Sequence, residues 1–390
     1  MSEIRLYRQY LVSYISVSLS KGLTILQRSS SWKRHVIAIT GSAGKTTTKE
    51  MIASILRRKY RTFKTVGNQN LPNFILWQKR KISPAHRVLV LEYGMSTAGH
   101  IRRSCRIIRP NIGVITTVGT AHIGNFGGSL HRLVRAKSEL IHGMAPYGKL
   151  FLNADNPQSK LLQTRGFKGA IYTVGIHRPA HFRARNIRYG SRGMSFTVKL
   201  GHQLHQFYIP VLGRHNIYNA LFAIAIGYKL GVPPSLIRQG LLTYQKPERR
   251  LVVYRLRRQV KVIDDSFSSN PQAAKAAINV LTTIGEGRRI AVLGSMLELG
   301  RYTRRGHRMV GAYAARRKVS DLLTYGPATQ HMRAAAIQAG LPRSRARHFL
   351  SRPALHRHLG RILTPYSTVL VKGSYKMNMH KTVAFLRRRG

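Results

Sequence analysis

At 390 residues the chain is longer than one hydrophobic core usually serves, and its 43% hydrophobic content excludes a disordered polymer. A single cysteine, Cys105, excludes an internal disulfide framework and fits a reducing, cytoplasmic setting. Lysine and arginine number 67 against 11 aspartates and glutamates, a formal net charge of +56. This predicts a salt-sensitive surface, and it reads either as a solvated basic surface or as one that meets an anionic polymer, a membrane surface or nucleic acid.

Residues 1–35 form an N-terminal segment with Leu6, Tyr10, Leu11, Tyr14, Ile15 and Leu19 among Arg5, Arg8 and Lys21. The uncharged stretch is shorter than the ~20 residues that span a bilayer, and no small-residue cleavage site follows it. It reads either as an amphipathic helix packed on the protein or as a basic helix at the inner face of the membrane. Strands are then predicted at Val36–Thr40, Val88–Glu92, Ile112–Thr117 and Leu150–Asn153. Helical stretches lie between them, beginning with Lys45–Leu56, and this alternation argues a parallel sheet covered on both faces. Phe196–Leu200 and Gln206–Val211 predict a small antiparallel piece, and a helix follows from Asn216 to Leu230.

The pattern breaks at Tyr244–Arg250 around Pro247. A hairpin is expected over Leu251–Leu256 and Val260–Asp264. A second alternating unit follows, with helices at Ala273–Leu281 and His307–Ala315 and strands at Arg289–Leu293, Asp321–Tyr325 and Thr368–Val371. The fold class is therefore α/β. A central parallel-sheet P-loop domain over residues 36–245 precedes a smaller Rossmann-like α/β C-terminal domain over residues 246–390, and the protein is expected to be a monomer.

The strongest chemical signal is the run from Thr40 to Thr48, TGSAGKTTT, between a strand and a helix. Glycines let backbone amides close around phosphate oxygens, the helix N-terminus adds its positive end, and Lys45 reaches the outer phosphates. Ile39 stands where the full Walker pattern has its first glycine. Thr46, and Glu92 at a strand end, offer the hard oxygens that suit magnesium. His122 follows a third strand end, and a lone histidine there reads either as structural or as a ligand. Acids are so scarce that those kept beside motifs, such as Glu92 and Asp265, are expected to have work of their own.

Taken in order, several motifs resemble the Mur ligase family. They are Gly41–Glu50 (GSAGKTTTKE), Glu92–Met95 (EYGM), Ala121-His122, Ala136–Glu139 (AKSE) and Gly213–Ala220 (GRHNIYNA). Asp264–Pro271 (DDSFSSNP), Val292–Gly294 with Glu298–Gly300, and Val371–Ser374 (VKGS) complete the series. The likeness is closest to the branch that adds D-alanyl-D-alanine, and it covers Val36 to the C-terminus. It implies an ATP-dependent ligase joining a carboxylate to an amine or dipeptide through an acyl phosphate, in cell-wall peptidoglycan precursor synthesis.

The resemblance also assigns roles. Gly41, Ser42, Ala43, Gly44, Lys45, Thr46 and Thr47 would hold ATP, and Thr46 with Glu92 would ligate one Mg2+. His122 would ligate a second, joined by Lys137 after carbamylation, although without the family Lys137 reads as a helix-surface cation. Asn219 would meet the adenine, Asp265 the ribose and Arg250 the γ-phosphate, with Lys372 in the closed site. Asn68 and Asn70 would line the acid pocket. The residues before Val36 are too few for the UDP-binding domain that the family carries, and Ser295 stands where relatives have an acid. The acid is therefore open between a small molecule and a carrier-linked carboxylate. A nucleotide-dependent polyanion-binding protein without ligase activity is the rival reading.

Overall fold

A computed structural model describes residues 34–389, so the expectation for residues 1–35 lies almost wholly outside the described residues. The chain first builds β1 (His35–Thr40), β2 (Thr62–Lys64), β3 (Val88–Glu92), β4 (Ile112–Ile115) and β5 (Lys149–Asn153). It continues through β6 (Ala170–Gly175), β7 (Phe182–Tyr189), β8 (Met194–Leu200) and β9 (Gln203–Ile209). These form one sheet in the order β2-β3-β1-β4-β5-β6-β7-β8-β9. Pairing is parallel from β2 to β7 and antiparallel from β7 to β9. The predicted antiparallel piece is thus the far end of the main sheet.

From β1 the chain passes to β2 and β3 on one side of the sheet, whereas from β4 it passes to β5 on the other. The crevice at the strand ends where the connections diverge is the usual ligand site of such sheets. The burial pattern explains why these strands sit centrally. In β1 every residue after His35 is buried, and β3 is buried throughout. Such continuous apolar runs suit strands covered by helices on both faces. The helix Lys45–Leu56 covers one face, with Met51, Ile52, Ile55 and Leu56 fully buried. The helix Arg214–Lys229, buried continuously from Asn219 to Gly227, packs against it.

The C-terminal sheet holds β10 (Val252–Arg255), β11 (Lys261–Asp265), β12 (Arg289–Gly294), β13 (Asp321–Tyr325), β14 (Ala346–Phe349) and β15 (Thr368–Lys372). Its order is β10-β11-β15-β12-β13-β14, parallel except for the predicted β10–β11 hairpin. Helix Pro271–Ile284 begins two residues before the predicted Ala273 and runs three past Leu281. Asn270 caps it, accepting from Ala273 N at 3.0 Å, and Pro271 fills the first position, where no amide partner is needed. Among the described residues no helix is long and apolar enough to cross a membrane.

Candidate active site

A cleft of about 860 Å³ opens between the strand ends of the two sheets, and four of the chain's eleven acids line it: Glu92, Asp155, Asp265 and Glu298. Its floor is the loop after β1. Gly41 (φ 146°) and Gly44 (φ 82°) take backbone conformations that a side chain resists. A Cβ at Gly41 would lie 2.0 Å from Thr116 Oγ1, and one at Gly44 would lie 2.4 Å from Asn219 Oδ1. Ser42 N donates to Thr117 O at 2.8 Å, and Ala43 N donates to Thr117 Oγ1 at 3.2 Å, which fixes the loop to the end of β4. The following helix has no side-chain cap, so its first-turn amides at Lys45, Thr46 and Thr47 point into the cleft region without an intrahelical partner. That is an anion site built by local sequence.

Side chains converge on it from three directions. Thr46 Oγ1 donates to Glu92 Oε1 at 3.3 Å, and Asn70 Nδ2 donates to the same oxygen at 2.8 Å. Glu92 lies opposite Ile39 in the β1–β3 register, which places its carboxylate beside the phosphate loop. Arg250 reaches across from the C-terminal domain, its Nη2 donating to Thr46 Oγ1 at 3.3 Å while its guanidinium lies over the Phe267 ring. Lys45 Nζ donates to Gly41 O at 2.8 Å. Burial lowers the pKa of Lys45 and Glu92 opposes that shift.

The fit to magnesium can be judged from the donors. Glu92 Oε2 is buried without a hydrogen-bond partner, a hard oxygen close to the Thr46 hydroxyl, with the Lys49 ammonium 3.7 Å away. Among the described residues no group of three His, Cys, Asp or Glu side chains could hold a metal alone. Magnesium asks for no such cage, since it binds through one or two carboxylates together with substrate phosphates. Thr46 and Glu92 fit it.

Lys137, on the helix Leu130–Gly143, is only 1% exposed and makes no ion pair among the described residues. Burial, and then the neighbouring Lys45 ammonium, push its pKa well below the usual lysine range. His122 has a left-handed backbone (φ 61°), and its Nδ1 stands 2.6 Å from Glu298 Oε2, leaving Nε2 for another partner. Both residues line the cleft, but no contact joins either of them to Glu92. Lys372 and Asp265 are register partners at the ends of β15 and β11, and Lys372 Nζ donates to Asp265 Oδ2 at 2.6 Å and to Ser268 O at 2.8 Å. Asn219 packs under the loop, accepting from Thr48 Oγ1 at 3.1 Å and donating to Asn216 Oδ1 at 2.9 Å. Asn68 lines the cleft and is exposed. Burial pushes the His215 imidazole down to about 4, so it is neutral at pH 7.

Several participants escaped the sequence reading. Lys49 is fully buried, donating to Gly67 O at 2.6 Å and standing 3.7 Å from Glu92 Oε2, so it ties the Asn68–Asn70 loop to the Glu92 carboxylate. Gln272 accepts from Thr120 Oγ1 at 2.9 Å, and Gly124 N donates to Glu298 O at 3.0 Å, which closes the C-terminal domain onto the central one. Asp155 accepts from three backbone amides and from Tyr218. Burial alone would raise its pKa, but these bonds hold it below the ordinary value. Only its retention in an acid-poor chain hinted at a role.

Comparison with known proteins identifies the family of both domains. The Mur ligase middle domain matches residues 39–227, and the Mur ligase glutamate ligase domain matches residues 249–375. The UDP-N-acetylmuramoyl-tripeptide–D-alanyl-D-alanine ligase of Bacillus subtilis is 32% identical over 355 residues, 90% of this chain and 75% of that protein. The enzyme of the same name from Escherichia coli is 30% identical over 359 residues, 91% of this chain and 77% of its own. The crystal structure of MurF from Acinetobacter baumannii superposes with a TM-score of 0.83 at 28% identity, covering 91% of this chain and 76% of that one. The chain belongs to the Mur ligase family of ATP-dependent carbon–nitrogen ligases.

Proposed function

We propose that the protein joins the terminal carboxylate of a UDP-linked muramoyl tripeptide to the amine of D-alanyl-D-alanine. The observation that carries this reading is the enclosure of one phosphate site by both domains, with Arg250 on Thr46 at 3.3 Å. A protein that only bound nucleotide would gain nothing from a cation brought across a domain boundary. A carboxylate is a poor electrophile, so the γ-phosphoryl of ATP passes to its oxygen and gives an acyl phosphate with a good leaving group. The loop amides and Lys45 hold the phosphates, and Arg250 stabilises the charge that develops as the phosphoryl moves. Asn70 orients Glu92 and, with Asn68, flanks the acid.

Magnesium held by Thr46 and Glu92, with His122 and a carbamylated Lys137 as a second donor set, would draw charge from the phosphates. Lys137 is suited to carbamylation because burial and the neighbouring Lys45 disfavour its ammonium form: the free amine adds to carbon dioxide and loses a proton, leaving a carbamate. Closure by Gln272 and Glu298 keeps water from the acyl phosphate until the amine attacks and phosphate leaves. The test is ADP release from the full chain with ATP, UDP-N-acetylmuramoyl-tripeptide and D-alanyl-D-alanine. Release that requires both the acid and the amine is expected. Release indifferent to either would overturn the reading.

A further inference from the structure

The helices His100–Ile107 and Leu130–Gly143 pack side by side, closely enough that a Cβ at Gly143 would lie 2.5 Å from Cys105 Cβ. Above this seam lies a second cleft of about 1110 Å³, floored by Cys105, Phe126, Ala136 and Gly143. Arg102 and Arg106 rise from the first helix at a spacing of one turn, with Arg109 just past its end. Arg132 and Arg135 rise from the second helix.

None of the five guanidiniums has a carboxylate within ion-pair distance among the described residues. The one acid at the cleft, Glu139, is already committed. Its two oxygens accept from Gly99 N at 2.6 Å and Arg102 N at 3.0 Å, capping the first helix. In a chain of +56 an unpaired arginine means little by itself. Arg109 Nη2 donates to Met144 O at 3.2 Å but keeps its charge; five guanidiniums on one concavity repel one another where field lines are focused, and an anion relieves that repulsion.

This cleft shares walls with the catalytic one. Asn125 lines it and donates to the carbonyl of Ser96, which lines the catalytic cleft, at 3.0 Å. The helix Leu130–Gly143 turns Arg132, Arg135 and Glu139 toward the arginine cleft and Lys137 toward the catalytic one. A helix is about 10 Å across, so an extended substrate can reach both sides of it.

We propose that the arginine cleft is a binding site for a diphosphate group, and that its occupant is the diphosphate of the nucleotide-linked acid, an assignment that rests on the function proposed above. Planar guanidiniums pair with phosphate oxygens two bonds at a time, and several around one diphosphate give specificity that a diffuse basic surface lacks.

The test uses the full chain with its phosphate loop filled by a non-hydrolysable ATP analogue and magnesium. Inorganic pyrophosphate is titrated in about 0.3 M salt, where general attraction is screened within several ångströms. Arg106→Gln/Arg135→Gln is compared with a control of equal charge loss on the C-terminal domain, Arg343→Gln/Arg345→Gln. Saturable binding of one pyrophosphate is expected, weakened about tenfold or more in the cleft variant and less than about twofold in the control. The KM for UDP-N-acetylmuramoyl-tripeptide should rise by a similar factor in the cleft variant, with the KM for ATP unchanged. Equal weakening in both variants, or no saturable binding, overturns the site. Weakened pyrophosphate binding with an unchanged acid KM overturns the assignment to the acid and leaves a site for free diphosphate. Absence of wild-type turnover on the UDP-linked acid would refute the proposed substrate, while the pyrophosphate comparison still decides the cleft.

Discussion

The two walls of the catalytic cleft are made in different ways. The central-domain wall is a loop, Thr40–Thr48, whose amides, glycine conformations and helix start are set by contiguous sequence and by its bonds to Thr117. The C-terminal wall is made of side chains: Asp265 and Lys372 end two strands of a separate sheet, and Arg250, just before β10, reaches the loop across the domain boundary. The first wall exists whatever the second domain does. It should therefore be needed both for nucleotide to bind and for the phosphoryl to move, while the second governs only how fast the phosphoryl moves.

The largest effects should come from the first wall. Lys45→Ala and Glu92→Ala should each lower ADP formation by about 10³-fold, since each removes a charge or ligand at the phosphates, with the fold intact by circular dichroism. Near-wild-type turnover in either variant at saturating magnesium would break the comparison at its base. Lys137→Ala should fall nearly as far and regain part of its rate when short-chain carboxylates are added, because these can stand in for a carbamate. A variant that is simply active would return Lys137 to the role of a buried structural lysine. Arg250→Ala sharpens the division of labour: kcat should drop about 10²-fold while the nucleotide Kd changes less than about threefold. A collapse of nucleotide affinity instead would place Arg250 functionally in the first wall.

The smallest effect is on stability and concerns His215, which lies near both Asp265 and Lys372. Its pKa falls from 6.5 to about 4 on folding, chiefly through burial. The unfolded chain then binds more protons than the folded one between those values, so stability rises with pH across that window and is lost as pH falls through it. Urea denaturation of His215→Asn, set against wild type, should show a shallower decline between pH 6.5 and pH 4. Parallel declines would mean that the imidazole is not held neutral.

The same contrast explains what could be read in the sequence. The strand, glycine loop and helix of the first wall are adjacent in the chain, and helix Lys45–Leu56 and strands β3 and β13 fall where the periodicity puts them. β4 ends at Ile115 rather than Thr117, because Thr116 and Thr117 turn aside to bond the phosphate loop. β2 and β7 gave no clear signal: β2 is three half-buried residues, and β7 carries Arg183, Arg185 and Arg188 on a partly exposed face. In the second wall Arg250 is an ordinary charged residue until a resemblance singles it out, and the scarcity of acids marks Asp265 without saying what it meets. Nothing local says that β11 and β15 will be neighbours and so pair Asp265 with Lys372. Lys49 was missed for the same reason, since its partner Gly67 lies 18 residues away on a loop.

The central claim is that both walls serve the making of an acyl phosphate, and oxygen tracing tests it most directly. The acid substrate is labelled with heavy oxygen in its carboxylate and turned over with ATP and the amine, and the released inorganic phosphate is examined by mass spectrometry. If the carboxylate attacks the γ-phosphorus, one labelled oxygen appears in phosphate for every amide bond formed. Amide formation with no label in the phosphate would contradict the account.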